Sequence, residues 1–375
     1  MIDSLEISNF KCIRHVELPL AGITMLAGLN GMGKSTCIQS LLLLHQSFKE
    51  HSPGLGQLVR NGSWIGLGTP RDILFEAAGE DRISFKLGFP SPISSVAFPY
   101  SLDTGLDEFV FDGDPPSELP GGHGIFTGDL HYIRAERNGP QTSSPTSNAE
   151  VRVHRRLGRD GEYAAQYLSE FGEEEIQNRA LLHPGALSAQ LRHQVEAWLG
   201  EISPGTRIYA QSHSALDRVS LHYAFATGRG ETNHYRATNV GFGLSYLLPV
   251  LIVALAAPPG ALLLLENPEA HIHPRGQMSI GRLLALASLG SVQIIVETHS
   301  DHILNGLRLA VHGGQVTPKD VALHYFQRQV EADSNHSIVT SPGIDRDGRL
   351  DQWPDGFFDQ NEKAMRELLM PGRKK

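Results

Sequence analysis

At 375 residues with 40% hydrophobic side chains, the chain is long enough to bury a large core as one big domain or two ordinary ones. A formal net charge of −9 excludes a surface coated for nucleic acid and leaves room only for a local basic groove. Two cysteines, Cys12 and Cys37, exclude a disulfide framework, and Met1–Ile7 lacks a basic stretch followed by an apolar core, so a reducing cytoplasm is expected and a secretion signal is not.

In chain order, the alternation in Leu5–Lys11 and Val16–Leu20 predicts a hairpin leading into the buried-strand run Ile23–Ala27. Next comes Gly28-Leu29-Asn30-Gly31-Met32-Gly33-Lys34-Ser35-Thr36, which fits the phosphate-binding pattern Gly-x-x-x-x-Gly-Lys-Ser. Glycines are required there because the backbone must curl round a polyphosphate with its N–H groups pointing inward. Asn30, Gly31, Gly33 and Thr36 line that loop, Lys34 reaches the β- and γ-phosphates of ATP, and Ser35 puts its hydroxyl on Mg²⁺. The helix that follows, Lys34 to about Gln46, aims its positive end at the anion.

The Gly/Pro-rich connection His51–Gln57 and Gly66–Asp72 is placed to carry a γ-phosphate sensor, with no single residue marked out. The runs Ile83–Leu87, Glu108–Phe111 and Leu130–Ile133 predict an antiparallel sheet with long turns. Pro140–Asn148 is Ser/Thr/Pro-rich and reads as mobile, Glu162–Gly200 reads as helical, and Arg207–Ala210 and Val219–Phe225 read as strands. No heptad is sustained, so no long coiled coil is expected.

A second functional block runs from Asn239 to Asp301. Gly241, Gly243 and Ser245 stand at the start of a helix expected from Tyr246 to Ala256, and a Gly/Ser-rich helix N-terminus is either an anion site or an ordinary cap. Leu262–Leu265 is a buried strand ending in Glu266, and a strand-end carboxylate beside a phosphate loop holds the water shell of Mg²⁺. Val292–Val296 is another buried strand, ending in Glu297-Thr298-His299-Ser300-Asp301. The apolar stretch Leu247–Leu265 is long enough to suggest a membrane span, but Pro258-Pro259-Gly260 cuts it into a helix and a strand.

Phosphate loop, capping signature, strand-end acid and strand-end His, in that order, resemble an ABC-type ATPase head. Thr298-His299-Ser300 and Pro268-Glu269-Ala270-His271-Ile272-His273-Pro274 are similar to the branch holding the overcoming-lysogenization-defect (OLD) ATPases, RecF-type recombination proteins and Septu-type anti-phage ATPases. Tyr132–Pro140 and Gly348–Gln360 extend the resemblance to prokaryotic ATPases with a small C-terminal domain of unknown function. It implies an α/β fold in which a phosphate-loop sheet has helices on both faces plus an antiparallel layer. The single head would span residues 1–375, with a mobile segment and helical insertion at 141–203 and a C-terminal extension at 313–375.

By position, the resemblance implies that Glu266 is the Walker B acid, that His299 is the switch His facing the γ-phosphate, and that Gly241, Gly243 and Ser245 serve a second subunit's ATP in trans. Asn267 occupies the family's catalytic Glu position, and an amide cannot take a proton from water. Glu297 is then the first substitute base and Glu269 the second. Asp345-Arg346-Asp347-Gly348 reads as an exposed turn rather than a nuclease pair, and His271 and His273 as a subunit-contact element rather than metal ligands. The implied function is an ATP-dimerised cytoplasmic ATPase that controls a nuclease or toxin in phage defence, without a nuclease of its own. The alternatives are a repair ATPase gripping DNA through Arg134, Arg137, Arg152, Arg155, Arg156 and Arg159, or a nucleotide-gated scaffold that hardly hydrolyses.

Overall fold

The computed structural model describes residues 1–50, 56–90, 95–113, 119, 124–126, 129–332 and 334–370. The hairpin β1 (Ser4–Phe10) and β2 (Ile13–Pro19) precedes β3 (Ile23–Gly28) and α1 (Lys34–Glu50). A short α2 (Pro70–Ile73) leads to β4 (Arg82–Gly88), β5 (Ser95–Asp103), β6 (Glu108–Phe111) and β7 (Leu130–Ile133). Next come β8 (Ser144–Pro145), α3 (Ala164–Phe171), α4 (Leu191–Gly200), β9 (Thr206–His213), β10 (Arg218–Thr227), β11 (Gly230–Glu231) and β12 (Tyr235–Arg236). The last third holds α5 (Phe242–Ala256), β13 (Leu262–Glu266), α6 (Pro274–Ser288), β14 (Gln293–Glu297), α7 (Asp301–His312), β15 (Val321–Val330), β16 (Asn335–Thr340) and α8 (Gln360–Leu368).

The central sheet has the order β16-β15-β3-β14-β13-β7, parallel throughout except for β16 at one edge. Its inner strands are continuous apolar runs because both faces are covered. Leu26, Leu264 and Ile295 enter a core shared with α1 and the antiparallel sheet β2-β1-β4-β5-β6, whereas Met25, Leu263, Leu265, Ile294 and Val296 face helices α3 to α7. Parallel strands deliver their loops to one edge. The ends of β3, β14 and β13 therefore bring the phosphate loop, Glu297 and Glu266 together, with Glu266 directly beside Glu297 in the ladder. Among the described residues, no helix is long and apolar enough to cross a membrane.

Several elements differ from expectation. Leu130–Ile133 pairs in parallel with β13 instead of joining the antiparallel sheet; all four residues are buried, and the polar His131 in the run imitates a half-exposed strand. Glu162–Gly200 is two helices, because His183-Pro184-Gly185 lies in the connection between them. α1 runs a turn beyond Gln46, and α5 begins at Phe242, four residues before the expected Tyr246. In the Ser/Thr/Pro stretch, Ser144 and Pro145 pair with β10, and Arg218 donates to the Ser143 carbonyl. Residues 51–55 of the connection expected to hold a phosphate sensor lie outside the described residues.

Helices α6 and α7 start immediately after the loops that follow β13 and β14, so their packing sets the distance between those loops. His273 caps α6, accepting from Arg275 N, and Ser300 Oγ caps α7, accepting from His302 N at 3.1 Å and Ile303 N at 3.2 Å. The two helices cross at Gly281 and Gly306, where a Cβ on either would run into the facing backbone, at Ile303 O and Met278 O. Gly306→Val should destabilise the fold by about 1–3 kcal/mol through overpacking, read as a lower midpoint of urea unfolding. An unchanged midpoint would show that the helices separate at no cost.

Candidate nucleotide site

The phosphate loop is held open by its glycines. Gly28 has φ 138° and Gly33 φ 103°, and a side chain at Gly28 would strike the Phe326 carbonyl, while one at Gly33 would come within 2.7 Å of Ser337 Oγ. Such a cradle is lined by backbone amides and suits an anion. Asn30 and Gly31 are exposed at its tip, and Thr36 is buried with Oγ1 at 3.6 Å from Cys12 Sγ.

Lys34 is 2% exposed; its Nζ donates to Gly28 O at 3.0 Å and Leu29 O at 2.8 Å and lies 3.7 Å from Glu297 Oε1. Burial lowers its pKa, opposed by the Glu297 carboxylate and, more weakly, Glu269. Ser35 Oγ donates to Glu297 Oε2 at 2.7 Å. The acid touching both phosphate-loop side chains is thus Glu297.

Glu266 is turned the other way. Its Oε1 accepts from the Tyr132 hydroxyl at 3.1 Å and its Oε2 from Ala135 N at 3.0 Å. Burial raises its pKa, and the charge of Glu297 adds to that rise. Asn267 takes a left-handed backbone conformation, φ 45°, and its N–H donates to Glu297 O at 2.8 Å. Its side-chain oxygen is buried without a hydrogen-bond partner. Glu269 Oε1 accepts from His299 N at 2.8 Å, and burial raises that carboxyl's pKa as well. His299 lines a 260 Å³ cavity with Gly28, Leu29, Tyr325 and Phe357; although much of the residue meets solvent, partial desolvation of its ring and the nearby Lys34 charge lower its pKa, opposed by the Gly28 carbonyl.

The signature residues split. Gly241 is the exposed N-cap of α5. Gly243 and Ser245 lie within the helix: Gly243 gives the close approach to His271 O, and Ser245 Oγ is buried beside Tyr223. A hydroxyl buried in its own subunit is not presented to another. His271 packs between Phe242 and Tyr246, each with a ring centroid 4.8 Å away, and His273 is the α6 cap, so both histidines have structural work. Asp345 Oδ1 accepts from Asp347 N and Arg349 N within an exposed turn.

The arginines between 134 and 159 have partners within the chain, those of Arg152 and Arg155 being exposed ion pairs. Arg134 pairs with Asp160, Arg152 with Glu170 and Arg155 with Glu174, Arg156 stacks over Trp64, and Arg159 donates to the Ser63 and Trp64 carbonyls. Arg137 was not predictable as a site element beyond its place in the family-like string. It is 3% exposed and donates to Arg134 O, Glu266 O, Asn267 O and Tyr246 O, tying the β13 loop to the first turns of α5. Burial brings its pKa down to about 10.

This fold and site define a P-loop ATPase head of the ABC type. Residues 23–305, well over half the chain, match the family described as "AAA domain, putative AbiEii toxin, Type IV TA system", and the protein belongs to it. Residues 316–368 match a protein of unknown function (DUF3696). An OLD nuclease of Thermus scotoductus is 22% identical over 330 residues, covering 80% of this chain and 59% of that protein. The chain therefore spans 59% of that relative's length. An SMC head bound to the C-winged helix domain of ScpA shares the fold at TM-score 0.50 and 14% identity, covering 91% of this chain and 98% of the other. The SMC head domain from Thermotoga maritima aligns at TM-score 0.48 and 12% identity, over 90% and 98%.

Because the buried Arg137 guanidinium holds four partly buried carbonyls at once, Arg137→Met should cost about 2–4 kcal/mol in urea unfolding. Arg137→Lys, with one ammonium in place of the fork, should recover only part of that. A cost under about 1 kcal/mol for Arg137→Met would mean that water reaches those carbonyls.

Proposed function

We propose that this protein binds ATP between two copies of its head, hydrolyses it slowly, and through that closure controls a partner effector, a nuclease or toxin, in prokaryotic phage defence. The observation that carries the nucleotide reading is Glu297 in direct contact with Ser35 and beside Lys34, at the mouth of a glycine cradle. The toxin–antitoxin wording of the family and the OLD nuclease relative support the effector reading. The engaged state of the arginine run gives direct DNA binding no comparable support.

Lys34 and the loop amides bind the phosphates. The Ser35 hydroxyl and, through its remaining lone pairs, the Glu266 carboxylate are hard oxygen donors of the kind Mg²⁺ takes, and that ion would supply charge neutralisation at the phosphates. Asn267, at the family's general-base position, carries an amide, which cannot remove a proton from water. Glu297, whose carboxylate touches Ser35 and lies beside Lys34, would take that proton instead, with His299 the neighbouring polar group after the same strand. Gly241, exposed at the α5 N-terminus, is the signature residue free to meet the partner's nucleotide, whereas Ser245 acts by packing.

A head supplies only part of the cage round ATP, so binding should favour a two-fold dimer. Light scattering is expected to show a mass increase with ATP and Mg²⁺ that Lys34→Ala abolishes; an assembly state indifferent to ATP would refute the dimer. In single-turnover hydrolysis, Glu297→Gln should lower the rate by about 10²–10⁴-fold with nucleotide binding intact. Asn267→Glu should raise a slow wild-type rate. If neither substitution changes the rate, Glu297 is not the base and Asn267 is not a missing one.

A further inference from the structure

A nucleotide has two ends, and only one has been accounted for. Glu297, His299 and Asn267 mark the terminal-phosphate end, and all lie on the β14 and β13 side of the phosphate-loop strand. On the other side of β3 runs β15, in register from Val321 opposite Ile23 to Phe326 opposite Gly28, so that the β15–β16 hairpin overhangs the phosphate loop. Three contacts join them. Arg328 Nη2 donates to Gly31 O at 2.8 Å, Ser337 N donates to Cys12 O at 2.9 Å, and Ser337 Oγ and Cys12 Sγ are the atoms that close over Gly33. Cys12 in turn lies against Thr36 at the start of α1, and Lys11 Nζ donates to Gln39 Oε1 at 2.8 Å one turn further on.

We infer that the hairpin of the C-terminal segment forms the nucleoside end of the site, with Arg328 the residue that meets the base of a nucleoside triphosphate. This rests on the nucleotide reading above. Arg328 is exposed, and its hydrogen bond to Gly31 O anchors one nitrogen of the fork to the loop tip, which leaves the flat face of the guanidinium for a planar partner. Ser337 and the Lys11–Cys12 turn form the floor below it. The domain of unknown function is in this way a working part of the ATP site.

Calorimetry of the full-length protein with ATP and with inorganic tripolyphosphate separates the two ends. Arg328→Ala should weaken ATP about tenfold and leave tripolyphosphate within about twofold, as expected for one stacked guanidinium. Arg328→Gln, which keeps an N–H for the Gly31 carbonyl, should behave like Arg328→Ala. Without mutation, ATP but not tripolyphosphate should slow alkylation of the half-buried Cys12, the deeply buried Cys37 serving as internal control. Unchanged ATP affinity, equal weakening of both ligands, full rescue by Arg328→Gln, or absence of Cys12 protection would each overturn the assignment. If the wild-type protein bound neither ligand, the nucleotide reading itself would fall, a result distinct from all of these.

Discussion

A buried ammonium is the constraint from which the site follows. Lys34 is 2% exposed, and an ionised amine at that depth is tolerated only with hydrogen bonds and an opposite charge. The Gly28 and Leu29 carbonyls supply the first and Glu297 the second. Each partner requires something of the fold: the carbonyls require the tight glycine curl after β3, and Glu297 requires β14 to lie directly beside β3. Sheet order is therefore part of the electrostatics of the site.

The same order divides labour between two neighbouring carboxylates. Glu266 and Glu297 are paired across β13 and β14, yet their oxygens serve different walls. Tyr132 and Ala135 on the β7 side take both oxygens of Glu266, whereas Ser35 and Lys34 on the β3 side take those of Glu297. Two like charges at adjacent strand ends repel, and separate sets of donors are what make the arrangement tolerable. Arg137 fixes the frame, since it bonds the main chain after Glu266 and the first turns of α5 with one side chain. A shift in the β13 loop is thus transmitted to the helix that carries Gly241.

Much of this was legible in the sequence. The phosphate loop announces itself by spacing, and the parallel sheet by apolar runs ending in Glu266 and in Glu297-Thr298-His299. What stayed hidden depends on tertiary register. Nothing in the string Leu130–Ile133 says whether it joins an antiparallel sheet or the parallel one, because a polar residue facing a buried pocket looks the same as one facing water. The inward turn of Ser245 follows from α5 starting at Phe242, where Gly241 serves as cap without a side chain to advertise it. The actual role of Arg137, read in the sequence as a DNA contact, and that of Arg328 were hidden for another reason: their partners are backbone carbonyls, which leave no trace in residue identity.

The last constraint concerns the C-terminal segment. Val321–Phe326 of β15 pair with β3 along the whole of β3 and bury Val321, Leu323 and Tyr325 in one core and Phe326 in the other. A strand that covers the edge of the phosphate-loop strand and closes both hydrophobic cores cannot be peeled away as an appended unit without opening the head. Gly28 reinforces the point, since it is the Phe326 carbonyl that forbids a side chain there. The loop's glycine requirement is therefore set partly from within the segment of unknown function. The walls of the anion cradle and the edge of the central sheet are thus built from the same strand, and a change that displaces β15 displaces the carbonyl and side chains that shape the loop.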